Sequence, residues 1–112
     1  MKVWYHVRDL DTARRFYRDK LGFTETSFDA DERWSRLRRG EMEIGLAEGE
    51  PHEEGVAHVE VGDVKAEAER LRAEGVDVGV VFELHGEIRL LDVFDPDGNR
   101  IQLGEDVTGS GS

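Results

Sequence analysis

The chain has no cysteine among its 112 residues. That excludes a disulfide framework, a thiolate nucleophile and a cysteine-ligated zinc, and it fits a cytosolic protein. No apolar run approaches the ~18 residues needed to cross a membrane, and the N-terminus has no signal-peptide pattern, so a soluble, non-exported chain is expected. There is no glycine-rich phosphate loop, no Ser-His-Asp order worth naming and no basic patch with interleaved aromatics. Basic residues are short in number: 15 Lys and Arg against 26 Asp and Glu leave a formal net charge of −11. DNA, RNA and anionic membranes reward positive charge, so neither nucleic acid nor membrane is expected as a partner, whereas a cationic ligand is favoured. The same acidity also serves solubility alone.

What is present suffices for one compact domain. Hydrophobic residues make up 38% of the chain and charged residues 37%, a modest core under a heavily solvated surface. The expected domain spans 1–108, and GSGS at 109–112 reads as an appended linker outside the fold.

The chain repeats itself. HVRDLDTARRFYRDKLGF near the start parallels EVGDVKAEAERLRAEGV in the second half, each reading strand, Asp, amphipathic helix, Gly. Asp9 and Asp63 are the expected N-caps. Leu10, Ala13, Phe16, Tyr17 and Leu21 form one apolar stripe, Val64, Ala68 and Leu71 the other, and Gly22 and Gly75 end the helices. The tails EIGLAE (43–48) and IQLGE (101–105) also match. Between helix and tail lie strand candidates at 23–29 and 33–38 in the first copy, and at 76–83 and 87–94 in the second, the latter pair joined at His85-Gly86. DPDG before Arg100 is a turn, because Pro presets φ and Gly accepts positive φ. The chain is therefore expected to be α+β, with two β-α-β-β-β modules at 1–50 and 55–108 and an acidic Gly/Pro segment between them.

A single helix covers one face of a four-stranded sheet, so strand alternation decides what the other face carries. Val3, Tyr5 and Val7, with Ala57, Val59 and Val61, point to the helices. Lys2, Trp4 and His6, with Val56, His58 and Glu60, point away, as do Glu43, Gly45, Ala47, Arg100 and Gln102. That face is too polar for a dry core and suits a concave binding cleft, in which the sheets curl around a ligand.

These segments, VRDLDTARRFYRDKLGF, HVEVGDVKAEAERLRAEGV and DVFDPDGNRIQLGE, resemble the successive signatures of the vicinal oxygen chelate superfamily, the group of glyoxalases, extradiol dioxygenases, fosfomycin-modifying enzymes and bleomycin-resistance proteins. ERWSRLRRGEMEIGL looks most like the bleomycin-resistance branch. The resemblance implies sheets curled into a cleft, commonly within a homodimer. It also implies a divalent metal held by the first and last strands of each module, at positions that correspond here to Lys2, Gly45, Val56 and Gln102. Lysine repels a cation, valine and glycine offer no side-chain donor, and Gln102 offers only a neutral oxygen. The inherited metal centre, and with it any cofactor, is therefore expected to be absent.

The leading expectation is a metal-free protein that sequesters an aromatic or cationic compound, such as an antibiotic, between Trp4, His6, Trp34, His58, Glu60, Arg100 and Gln102. Trp4 and Trp34 would stack on the ligand, or else fill a dimer interface or the core. Arg36, Arg38 and Arg100 would bind a carboxylate on the ligand, or else neutralise surface acids. His6 and His58 suit proton exchange near neutral pH or ordinary sheet hydrogen bonding, and Glu43 and Glu60 would act as bases only if buried. The alternative is a metal-dependent lyase, isomerase or dioxygenase built on the shifted set His6, His58 and Glu60. A third is an engineered scaffold with a vestigial cleft.

Overall fold

In the computed structural model, which describes residues 2–51 and 55–108, the elements run in the expected order. The first module comprises β1 (Lys2–Val7), α1 (Leu10–Asp19), β2 (Thr24–Asp29), β3 (Trp34–Arg39) and β4 (Met42–Glu48). The second comprises β5 (Ala57–Glu60), α2 (Val64–Ala73), β6 (Asp77–Val78), β7 (Phe82–Leu84), β8 (Ile88–Phe94) and β9 (Arg100–Asp106). Residues 52–54 of the acidic segment and 109–112 lie outside the described residues.

Both helices start where an aspartate satisfies a free amide. Asp9 accepts from the Thr12 amide at 3.2 Å, and Asp63 from the Ala66 amide at 3.0 Å. Each module adds a second carboxylate from its last strand: Glu48 accepts from the Leu10 amide, and Glu105 from the Val64 amide. Gly22 and Gly75, at φ of +71° and +80°, turn the chain out of each helix in a conformation that other residues strain to adopt.

The two sheets share one topology. The first runs β1-β4-β3-β2, with β1 parallel to β4; the second runs β5-β9-β8-β6, with β5 parallel to β9 and β7 also on β8. The single strand expected at 76–83 is in fact two short ones. Between them Gly79 holds the β8 backbone through the Asp92 carbonyl, while its own carbonyl accepts from Arg72 of α2 at 2.8 Å. The Gly79 carbonyl is thus turned to the helix while its amide stays on β8.

The helix-side faces of both sheets build one core, in which Tyr5, Leu10, Tyr17, Ile44 and Leu46 cluster with Ala57, Val59, Leu71, Val93 and Leu103. Which module packs on which is not legible in the sequence, and here the two modules of one chain pack on each other. The joint is polar as well as apolar. The Tyr5 hydroxyl donates to the Arg100 carbonyl at 2.6 Å and accepts from the Ala57 amide at 2.8 Å. Burial pushes its pKa up to about 12. An ion pair at 2.8 Å ties Arg39 at the end of β3 to Glu67 in the first turn of α2, and one at 3.1 Å joins Lys20 and Glu74 at the C-terminal ends of the two helices.

Candidate functional site

Because the helices and the core occupy one side of each sheet, the other sides hold the candidate residues. On the first sheet, cross-strand partners share a face and form three rows: Lys2, Glu43 and Arg38; Trp4, Gly45 and Arg36; His6, Ala47 and Trp34. In the first row one carboxylate serves two cations, with Lys2 3.4 Å and Arg38 3.8 Å from Glu43. In the second row the Trp4 indole lies across Gly45. A Cβ there would stand 2.3 Å from two of its ring carbons, so glycine is what lets the ring lie on the sheet. Arg36 places its guanidinium 5.2 Å from the Trp34 ring centre, and among the described residues its buried Nε has no hydrogen-bond partner.

On the second sheet the rows are His58, Gln102 and Asp92, then Glu60, Gly104 and Leu90. The His58 imidazole covers Gly104, where a Cβ would come within 2.6 Å of Cε1. Gln102 donates to Asp92 at 3.4 Å, and Arg100 pairs with the same carboxylate at 3.5 Å. Two clefts open here. One, of about 360 Å³, is lined by His58, Glu60, Glu87, Ile88, Gly104, Asp106 and Thr108. The other, of about 540 Å³, lies between the β3–β4 hairpin residues Arg39 to Met42 and the same His58 and Glu60. His58 and Glu60 thus stand at the boundary of both.

Of the seven residues expected to bind ligand, Trp4, His6 and Trp34 gather on the first sheet and His58, Glu60, Arg100 and Gln102 on the second. Val56 lies just before β5 and is exposed. The set His6, His58 and Glu60 is divided between the two sheets, and among the described residues no three His, Cys, Asp or Glu side chains gather as a metal would require.

Sequence reasoning passed over three features. Asp92 organises both Gln102 and Arg100. Gly45 and Gly104 are the floors on which Trp4 and His58 lie; glycine inside a strand was the available signal. Asp95, read only as part of a turn, is 5% exposed and accepts from the Tyr17 hydroxyl at 2.8 Å, the Asn99 side chain at 3.0 Å and the amides of Asp97 and Asn99. Burial raises its pKa against the pull of those donors.

Comparison with known proteins now bears on this geometry. Residues 3–103 match the model of the glyoxalase/bleomycin resistance protein/dioxygenase superfamily. No curated protein matches the chain. Among solved structures, an integron cassette protein from the mobile metagenome of the Halifax Harbour sewage outfall is 22% identical with a TM-score of 0.83, covering 94% of this chain and 96% of that one. Lactoylglutathione lyase from Agrobacterium tumefaciens is 20% identical, with a TM-score of 0.76 and coverage of 94% and 91%. The fosfomycin resistance protein FosX from Listeria monocytogenes, complexed with Mn(II) and sulfate, is 18% identical, with a TM-score of 0.78 and coverage of 96% and 90%. At these identities the likeness is one of fold.

Proposed function

Since this chain belongs to the glyoxalase/bleomycin resistance protein/dioxygenase superfamily, we propose that it is a small-molecule binding protein of the bleomycin-resistance type, which holds an aromatic compound without a metal. The observation that carries this reading is the fate of the four positions the resemblance would give to an ion. Lys2 is an ammonium already paired with Glu43, and the space above Gly45 is filled by the Trp4 indole. Val56 has no donor, and Gln102 is turned to Asp92. These residues do not fit a divalent cation. In their place stand an indole lying on the sheet and a guanidinium beside a second indole, which bind by stacking and hydrogen bonding.

The two open faces differ in charge. The first carries Lys2, Arg36 and Arg38 around Glu43, while the second carries Glu60, Glu87, Asp92 and Asp106 around Arg100. Facing sheets of opposite sign favour a homodimer in which the first sheet of one protomer meets the second sheet of its partner. That pairing would bring Trp4, His6 and Trp34 opposite His58 and Glu60. A cytoplasmic role in antibiotic resistance belongs to the same reading.

Metal analysis of protein purified without chelator, alongside calorimetric titration with an aromatic ligand before and after EDTA, tests the proposal. Binding unaffected by EDTA is the expected result. Stoichiometric Fe, Mn, Ni or Zn that is lost in His58→Ala would replace it with the metal-dependent enzyme, a reading favoured by the shared position of His58 and Glu60 at both clefts.

A further inference from the structure

We infer that Arg36 is the anion-reading end of a subsite on the open face of the first sheet, and that this subsite takes a planar aromatic compound bearing a carboxylate. The inference rests on the binding-protein reading above and adds the chemical class of the ligand.

In a chain with 26 acidic side chains, a guanidinium meets a carboxylate readily. Arg14 holds Glu25 through two nitrogens at 2.6 and 2.8 Å, Arg38 meets Glu43, and Arg100 meets Asp92. Arg36 is the exception among arginines within the sheets: among the described residues no carboxylate lies within ion-pair distance of it, and its Nε is buried with no hydrogen-bond partner. A buried N–H left unmade costs stability, so Arg36 is held here against its own hydrogen bonding, as residues of functional sites often are.

The surroundings define the missing acceptor. Across the ladder from Arg36 stands Gly45, so no side chain rises between it and the Trp4 indole that lies over that glycine. Strands are spaced about 4.8 Å apart, so with β4 alone between them the backbones of Arg36 and Trp4 stand about 10 Å apart, and the indole over Gly45 reaches across that gap toward the guanidinium. A ring stacked on the outer face of Trp4 therefore sets a carboxylate within reach of the guanidinium. The Trp34 ring centre lies 5.2 Å from the guanidinium carbon. The two terminal nitrogens, which are not buried as Nε is, form a planar fork that receives a carboxylate through two parallel bonds, which an ammonium does not reproduce.

The local field agrees. Lys2 and Arg38 share a single carboxylate in the adjoining row, and Asp29, across from Trp34, is engaged by the amides of Asp31 and Glu32. With Lys2, Arg36 and Arg38 against Glu43 and Asp29, this face holds a small excess of positive charge in a protein whose net charge is −11, and the cationic ligand that the total charge favours is the wrong one for it.

The test is isothermal titration of the full chain with three probes of one shape: 1-naphthoate, neutral 1-naphthamide and cationic 1-naphthylmethylammonium. Naphthoate is expected to bind on the order of tenfold or more tighter than the amide, and the ammonium weakest. Arg36→Gln should erase the preference for naphthoate over the amide, and Arg36→Lys, which keeps the charge without the fork, should lose most of it. Thermal melting of unliganded Arg36→Met adds an independent readout: a midpoint equal to or above that of the wild type fits a residue kept for ligand, and a large fall marks a structural arginine and overturns the inference. Equal binding of naphthoate and naphthamide to the wild type also overturns it, yet leaves the binding-protein reading standing if Trp4→Ala abolishes both. Failure of all three probes to bind removes both.

Discussion

Tyr17 of the first module donates a 2.8 Å hydrogen bond to the Asp95 carboxylate of the second, across 78 positions of sequence. Neither group has water as an alternative, since Tyr17 is fully buried and Asp95 nearly so. Burial, and then the Asp95 charge, raise the Tyr17 pKa well above the usual tyrosine value. Tyr17→Phe leaves one acceptor short and is expected to cost about 1–3 kcal/mol. Asp95→Ala strips Tyr17 and Asn99 of their shared acceptor and should cost more, about 3 kcal/mol or above. Urea denaturation measures both, and a Tyr17→Phe protein as stable as the parent would mean that the joint is held by the apolar core alone.

Asp95 also sets a pH dependence of unusual sign. Its folded pKa is raised above the unfolded value, so its contribution to stability is fully present below the unfolded value and is lost as pH rises through the folded one. Glu25 behaves oppositely. Its hydrogen bonds from Arg14 lower its pKa, against partial burial, so it stabilises the protein above the unfolded glutamate value and ceases to do so as pH falls through its folded value. Glu25→Gln is expected to cost about 1–2 kcal/mol at pH 7 and to flatten the loss of stability between pH 5 and pH 3. Melting curves across that range decide it; parallel profiles for mutant and parent would show Glu25 to be a bystander.

Gly45 is not in the left-handed region, so alanine suits its backbone and only the Trp4 ring objects. In a Trp34→Phe background, where Trp4 is the sole tryptophan, Gly45→Ala should displace the indole and red-shift its emission. Stability should fall by about 1–3 kcal/mol, because the displaced ring leaves its apolar contacts. An unchanged spectrum would place the indole elsewhere than on this glycine.

Homodimer formation predicts a mass by light scattering of twice the 12.7 kDa chain. If opposed charge on the two open faces drives it, dissociation should increase between 0.05 and 0.5 M salt, as screening shortens the Debye length from about 14 to about 4 Å. A monomer at every concentration and ionic strength would remove the pairing.

Much of this was legible in the amino-acid order, for a local reason. Apolar side chains at helical spacing after Asp9 and Asp63, and alternation along β1, β4, β5 and β9, depend on neighbours within a few positions, so the helices, the strands and the side on which Trp4, His6, His58 and Gln102 lie could be read directly. The strand drawn at 76–83 failed for the opposite reason. Arg72 of α2 takes the carbonyl of Gly79, a contact that alternation does not encode.

What the chain alone determined is therefore its two-module architecture and the composition of its open faces, because backbone period and capping are properties of adjacent residues. Tertiary structure decided that the modules of one chain share a core, that Trp4 lies on Gly45 and His58 over Gly104, and that Arg38 finds a carboxylate while Arg36 does not. Each of those outcomes turns on which side chains meet across strands distant in sequence, and a few ångströms of placement separate a satisfied surface arginine from one that still lacks its acceptor.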